Sequence, residues 1–300
     1  MPQTTLQGPR VSTLQRIEVQ VEAGNTNEGC HGNTDGVQPN DKAILANVRV
    51  VLIGWGKFYS DHPEAMDNAA KLCSDVVTGP YFNGLAQYGV GRGSFDRRIT
   101  VPDNSPPSTL SQDDARQKLV GWMRDGTLNS PAIDETSLLY VLLPPPQTKP
   151  TIASGQDDFC GYHQWTKYNN NSRNDDLFWA LVRTDKADQS SGTTLVNGIS
   201  YCMSHEMAEA VTSRDGRGYH NGSCEIGDLC EAGKSGSIKT FRYRNWDVEQ
   251  YWSEWDRSCI NGDTPVSLRR FLQASKRTGG SLRALGTPAI NVEYIASQCR

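Results

Sequence analysis

Between Asn197 and Thr212 the chain reads NGISYCMSHEMAEAVT, and its chemistry is concentrated in His205-Glu206-Met207-Ala208-Glu209. Two ligands four residues apart share one helical face and can hold a single metal ion, as the two histidines of HExxH do. In this HExxE version His205 offers an imidazole nitrogen and Glu209 a carboxylate oxygen. Glu206 is then placed as the general base that deprotonates a water on the metal. On a helical projection Val196, Ile199, Met203, Met207 and Ala210 form one apolar arc, and Cys202, His205, Glu206 and Glu209 fall on the arc beside it. The ionisable residues therefore border a packed face, where carboxylates are expensive to bury without compensation. The bland reading of the same five letters is a helix with one histidine and two solvated or salt-bridged glutamates.

Three protein ligands are expected at a catalytic zinc site, so one is missing from the helix. The nearest supply is Cys224-Glu225-Ile226-Gly227-Asp228-Leu229-Cys230, reached through the loop over 216–222. Glu225 and Asp228 are three apart, and on a helical turn both could face back to the ion. A structural zinc held by Cys202, His205, Cys224 and Cys230 is the competing ligand set, but it leaves Glu206 and Glu209 without a role. A His-Glu-carboxylate set cancels the charge of a divalent ion. That predicts weaker acidification of water than at His-rich sites and an activity profile displaced to alkaline pH. Zinc is the expected metal, with manganese or calcium admitted by the oxygen-rich ligation.

The elements that must position these residues are legible around them. Val48–Ile53 reads as a buried strand ending at Gly54, and Pro63 opens a helix closed by Gly79. Tyr81–Tyr88 continues as aromatic-rich structure and Phe95–Val101 as a strand. Ser111 caps a helix with Asp113 and Asp114 in its first turn. Ser137–Leu143 and Leu177–Val182 complete the strong strands, the latter expected at a sheet edge that could pair with an extended peptide. Helix 193–212 follows, while Phe241–Trp255 stays unassigned between strand and irregular structure. The order predicts an α/β fold, a mixed β-sheet with packed helices and parallel pairing of its first strands. The expected organisation is a polar N-terminal arm with a short strand over 1–47, a main domain over 48–261 and a small helical tail over 262–300.

Composition sets outer limits. With 300 residues, 36% hydrophobic and a formal net charge of −4, the chain has room for a sizeable core and no basic stripe for nucleic acid. No apolar run approaches the ~20 residues of a membrane helix. Eight cysteines favour disulfides and an oxidising compartment, although no secretory leader is visible at Met1–Leu6.

Five segments occur together and in order: Val51-Leu52-Ile53-Gly54-Trp55-Gly56, Tyr81 to Tyr88, Phe159-Cys160-Gly161-Tyr162-His163, Ser204 to Thr212, and Glu225 to Cys230. In this combination the chain resembles the EXORDIUM-like, phosphate-induced protein family over about residues 48 to 261. The resemblance implies a secreted or wall-associated protein whose HExxE…EIGDxC core is similar to that of a zincin-type metallopeptidase. It departs from the family after the helix, with Thr212-Ser213-Arg214 in place of Thr-Asp-Pro and Tyr219 in place of a tryptophan. His163, in the third block, is a candidate catalytic residue as ligand, proton donor or oxyanion stabiliser; otherwise it is a histidine hydrogen-bonded in a turn. Cys160, Cys202, Cys224 and Cys230 flank these blocks and are expected to staple them.

The sequence thus points to a metal-dependent hydrolase, a peptidase acting on peptide or protein with Glu206 as base. The alternative is a non-catalytic extracellular growth or interaction factor whose metal or polar cluster is structural. A carbohydrate- or wall-binding role leans only on the aromatics of Tyr243–Trp255, a composition that more often reports packing.

Overall fold

The computed structural model describes residues 18–20, 38–39, 43–102, 106–128, 137–152, 159–170, 173–216, 218–220, 224–230 and 237–262. Its centre is a five-stranded sheet of β1 (Arg49–Trp55), β2 (Ser94–Val101), β3 (Leu138–Leu143), β4 (Gly161–Asn170) and β5 (Arg173–Val182). The spatial order is β2-β1-β3-β5-β4. The first four of these pair in parallel, and β4 closes the edge as the antiparallel partner of β5. The fold is therefore mixed α/β, as the sequence pattern predicts.

Three long helices cover the two faces: α1 (Pro63–Thr78), α2 (Gln112–Arg124) and α3 (Gly192–Thr212). Strand residues alternate between the layers, as a period of two requires. Val50, Leu52, Leu139, Val141 and Val182 join α1 and α3 in one core. Val51, Ile53, Tyr140, Trp179 and Leu181 join Leu119 and Trp122 of α2 in the other. Being covered on both faces is why β1 and β3 are continuous apolar runs. Ser111 caps α2 through a reciprocal capping box with Asp114, and Ser191 caps α3 in the same way with Thr194.

Two expectations change. The sheet edge belongs to β4, not to the 177–182 segment, which lies inside β5 between β3 and β4. The cause is a hairpin: β4 and β5 pair antiparallel from Gly161↔Val182 to Asn170↔Arg173, so the chain enters along the edge and returns inside. The aromatic stretch resolves into strands β6 (Ser237–Tyr243), β7 (Trp246–Glu249), β8 (Tyr251–Ser253) and β9 (Ser258–Ile260). Trp246, Tyr251 and Trp252 are buried there, which removes them as a carbohydrate-stacking surface. The helical tail expected over 262–300 and most of the N-terminal arm lie outside the described residues, although Glu18–Gln20 forms the short strand expected there and pairs with β6. No described helix is long and apolar enough to cross a membrane.

The β6–β7 hairpin is clamped to α1 through Asp75. Its buried carboxylate accepts from Trp246 Nε1 at 2.9 Å and pairs with Lys71 at 2.6 Å and with Arg244. Ser200 Oγ on α3 donates to Asp247 O at 2.7 Å, tying the same hairpin to the second helix. Asp75→Ala is expected to strand the indole N–H and one guanidinium, lowering unfolding free energy by about 1–3 kcal/mol in denaturant titration.

Candidate metal centre

Helix α3 runs almost wholly through the interior, and its second half supplies the chemistry. Glu206 and Glu209 are 3% and 4% exposed, and His205 is buried beside them. His205 Nε2 lies 3.1 Å from Glu209 Oε2 and 3.9 Å from Asp228 Oδ1. One nitrogen of His205 and one oxygen from each of Glu209 and Asp228 fall within 4.8 Å of one another, a spacing that one cation can span. The HExxE helix and the 225–228 segment therefore do converge, with Asp228 beside His205.

Glu225 points elsewhere in the same cluster. Its Oε2 lies 3.3 Å from His163 Nε2, and His163 Nδ1 lies 3.4 Å from Glu206 Oε2 and 3.9 Å from Glu209 Oε2. His163, Glu209 and Glu225 form a second group of ligand atoms within 4.8 Å. His163 is thus not a turn histidine but a β4 residue facing the helix.

Backbone geometry holds these side chains. Glu225 N donates to Asp228 Oδ2 at 2.8 Å, closing a tight turn. Gly227 N and Asp228 N then donate to Glu209 Oε1 at 3.1 and 3.2 Å, which leaves Oε2 toward the histidines. A Cβ on Gly227 would come within 2.6 Å of His205 Nδ1 and 2.8 Å of Glu209 Oε1, so only glycine lets the turn approach this closely. Gly161 plays the same part on β4, where a Cβ would sit 2.7 Å from Glu206 Cγ and 2.8 Å from Leu181 O. The turn is pinned to the β8–β9 hairpin by the Cys230–Cys259 disulfide and by Trp252 N donating to Ile226 O at 2.8 Å.

Sequence reasoning misses Glu249. At the end of β7 and 1% exposed, it places Oε2 2.8 Å from His205 Nδ1. A carboxylate partner fixes the proton on Nδ1 and leaves Nε2 free to ligate, the usual support of a metal-binding histidine. Ser204 Oγ accepts from Glu249 N at 3.0 Å, so the residue before the ligand also fixes the strand that orients it. No short-range spacing connects Glu249 to His205; only the hairpin topology does.

Of the four cysteines expected to staple the blocks, Cys224 and Cys230 are in disulfides and Cys160 and Cys202 are not. Cys230 is bonded to Cys259 and Cys224 is also in a disulfide, so neither thiol is available for a zinc site with Cys202 and His205. Cys160 and Cys202 are free thiols, as is Cys73. Cys160 and Cys202 meet where β4 starts against α3, and the contact with Cys202, together with burial, holds the Cys160 thiol well above its ordinary value.

The electrostatics are those of an acidic cluster held by protons and imidazoles. Burial and the neighbouring Asp228 push Glu209 up to about 8. Burial also raises Asp228 and Glu249, against the pull of His205. Both histidines are held well above their ordinary value: burial opposes this, but Glu225 and Glu206 outweigh it at His163, and Glu209 and Glu249 at His205. Glu225 is lowered, its burial outweighed by the charge of His163. The donor set, of two imidazoles and several carboxylates, suits a divalent cation. The buried oxygen Glu249 Oε1 has no hydrogen-bond partner among the described residues, which also fits a site built for cations.

Beside the cluster opens a cleft of about 280 Å³ lined by His163, Gln164, Trp165, Arg214, His220 and Glu225, among others. Trp165 stands 41% exposed at its lip. Comparison with known proteins adds a likeness among solved structures. No family model and no curated protein matches the sequence. Among solved structures, metalloproteinase-II from Bacteroides fragilis is similar at 15% identity and a TM-score of 0.30, over 60% of this chain. This chain covers less than half of that protein, 46% of its length.

Two outcomes are expected. Glu209 titrates in the metal-free fold near 8, above the ordinary ~4.3. The folded state therefore binds more protons than the unfolded one across that window, and stability falls as pH rises through it. The raised histidines act in the same direction above their ordinary ~6.5. Thermal melts of chelator-stripped protein should show Tm falling from pH 5 to pH 9, with added Zn(II) restoring most at the alkaline end because its ligands must be deprotonated. Separately, Glu249→Gln should weaken metal affinity by about 10–100-fold, read by competition with a chromophoric chelator, while the fold persists.

Proposed function

We propose that this protein is a metal-dependent hydrolase that cleaves peptide bonds, with zinc as its first-choice metal. His205, Glu209 and Asp228 hold the cation and Glu206 is the general base. The observation that carries the reading is the convergence of His205, Glu209 and Asp228 within 4.8 Å, with Glu206 beside them and joined through His163 to a cleft next to a sheet edge that is unpaired among the described residues. Manganese and calcium are the other cations that the oxygen-rich set admits.

The bound cation would supply Lewis acidity at a carbonyl and lower the pKa of water. The chain's own groups do the rest. Glu206 sits one residue from His205 with its carboxylate between the helix and Gly161, where no Cβ competes for the space. From there it takes a proton from the attacking water and returns it to the leaving amine. His163, 3.4 Å from Glu206 Oε2, fixes the position of that carboxylate and itself lines the cleft. The backbone of β4 has no outer strand partner among the described residues, so an extended peptide could add to this edge as a further strand. Its carbonyls and N–H groups would then run past His163 and Trp165.

Placement in the EXORDIUM-like family and an extracellular location belong to the same proposal. The five ordered sequence blocks support the first, and the Cys230–Cys259 disulfide is in keeping with the second.

A peptide-library digest with stripped protein, with and without Zn(II), tests the reading. Chelator-sensitive cleavage is expected. Glu206→Gln should keep the metal and lose about 10²–10⁴-fold in rate, whereas Glu209→Ala should lose the metal itself. Cleavage that survives Glu206→Gln, or a wild-type protein that binds no divalent cation, would overturn the proposal.

A further inference from the structure

We propose that the centre holds two divalent cations, the second bound by His163 and Glu225 and joined to the first through Glu209 as a bridging carboxylate. This rests on the metal-centre reading above and extends it from one ion to a pair. The geometry gives two ligand groups with one member in common. His205, Glu209 and Asp228 form the first, and His163, Glu209 and Glu225 the second, each with its ligand atoms within 4.8 Å. Glu209 Oε2 is the shared point, 3.1 Å from His205 Nε2 and 3.9 Å from His163 Nδ1. Two-metal hydrolytic sites keep their ions about 3.5–4 Å apart, a separation that one carboxylate can bridge.

Charge argues the same way. Glu206, Glu209, Glu225, Asp228 and Glu249 bring five carboxylates into contact with only two imidazoles. With both imidazoles neutral as ligands, one divalent ion offsets two of five negative charges and a second offsets four. Buried ionised carboxylates need compensation at short range, and a second ion would supply it where His163 and Glu225 meet. Glu225 presents Oε2 to His163 Nε2 at 3.3 Å on the side of the cluster that lines the cleft.

The two histidines are also supported differently, as two separate ligands would be. His205 is oriented from behind by Glu249 at 2.8 Å. His163 enters from the opposite side, on the sheet edge, and lines the open cleft. The second ion would therefore be the more accessible of the pair and the one adjacent to substrate.

The test is metal stoichiometry on full-length protein. Chelator-stripped chain is titrated with Zn(II) and, separately, Mn(II), and bound metal is counted by native mass spectrometry and elemental analysis. Two ions per chain are expected, and the Mn(II)-loaded protein should give the halved hyperfine spacing of an exchange-coupled pair in its EPR spectrum. His163→Ala and the isosteric Glu225→Gln should each reduce the count to one, with an uncoupled Mn(II) signal. One ion per wild-type chain would overturn this proposal and leave the single-ion hydrolase intact. Two uncoupled Mn(II) ions would overturn the bridge through Glu209. No bound ion would overturn both readings.

Discussion

The structure depends on keeping Glu206, Glu209 and Glu249 in a nearly dry interior. Removing an ionised carboxylate from water carries a penalty of several kcal/mol even after relaxation, and three such groups would consume a typical domain's whole stability margin. The fold answers with compensation at short range. Two backbone N–H groups of the 225–228 turn donate to Glu209, the imidazole of His205 binds Glu249, and the imidazole of His163 lies between Glu206 and Glu225. Burial and Asp228 displace Glu209 upward, and the surrounding carboxylates displace both histidines upward. Under the proposed function cations would take the place of those protons, and the electrostatics of the cluster and metal binding would be two aspects of one arrangement.

Compensation at such distances requires three separate pieces of backbone to approach one helix, and the sequence meets this with small residues and local ties. Gly161 lets β4 lie against Glu206, and Gly227 lets the turn reach His205 and Glu209. The hairpin that delivers Glu249 is clamped by Asp75 to α1 and by Ser200 to α3. The turn that delivers Asp228 is held by Cys230–Cys259 and by the β8 backbone. The free thiols at Cys160 and Cys202 show that these contacts do not require a crosslink at every point.

Much of this was readable in the residues, for reasons tied to range. The α3 helix and the His205–Glu209 pairing are set by spacing within one element, and helical periodicity exposes such relations directly. β1 and β3 were legible because strands covered on both faces are unbroken apolar runs. Two features had no local signature. The edge position of β4 depends on the order in which hairpin strands enter the sheet, and its polar residues gave no apolar run to read. Glu249 lies 44 residues from His205, and their contact exists only once the hairpin docks on α3. The aromatic content of 241–255 signalled packing of that hairpin but not the carboxylate at its end.

The edge strand links the centre to its surroundings. An exposed edge carries unpaired N–H and C=O groups and is a standing hazard for unwanted pairing, so folds normally cover or blunt it. Here the edge has no further strand partner among the described residues, lies beside a cleft and carries a 41% exposed Trp165 two residues from His163. Alternation explains how one strand serves both ends: Gly161 and His163 face α3, while Tyr162 packs with Trp179 in the other core. The register Gly161↔Val182 and His163↔Ala180 then fixes the height of the open edge relative to Glu206. A peptide added to that edge would inherit the register, because strand pairing leaves no freedom to slide by one residue without inverting every side chain. On the proposed function, the hairpin that hides β5 inside the sheet is thus the element that would set which backbone carbonyl of an added peptide lies nearest Glu206.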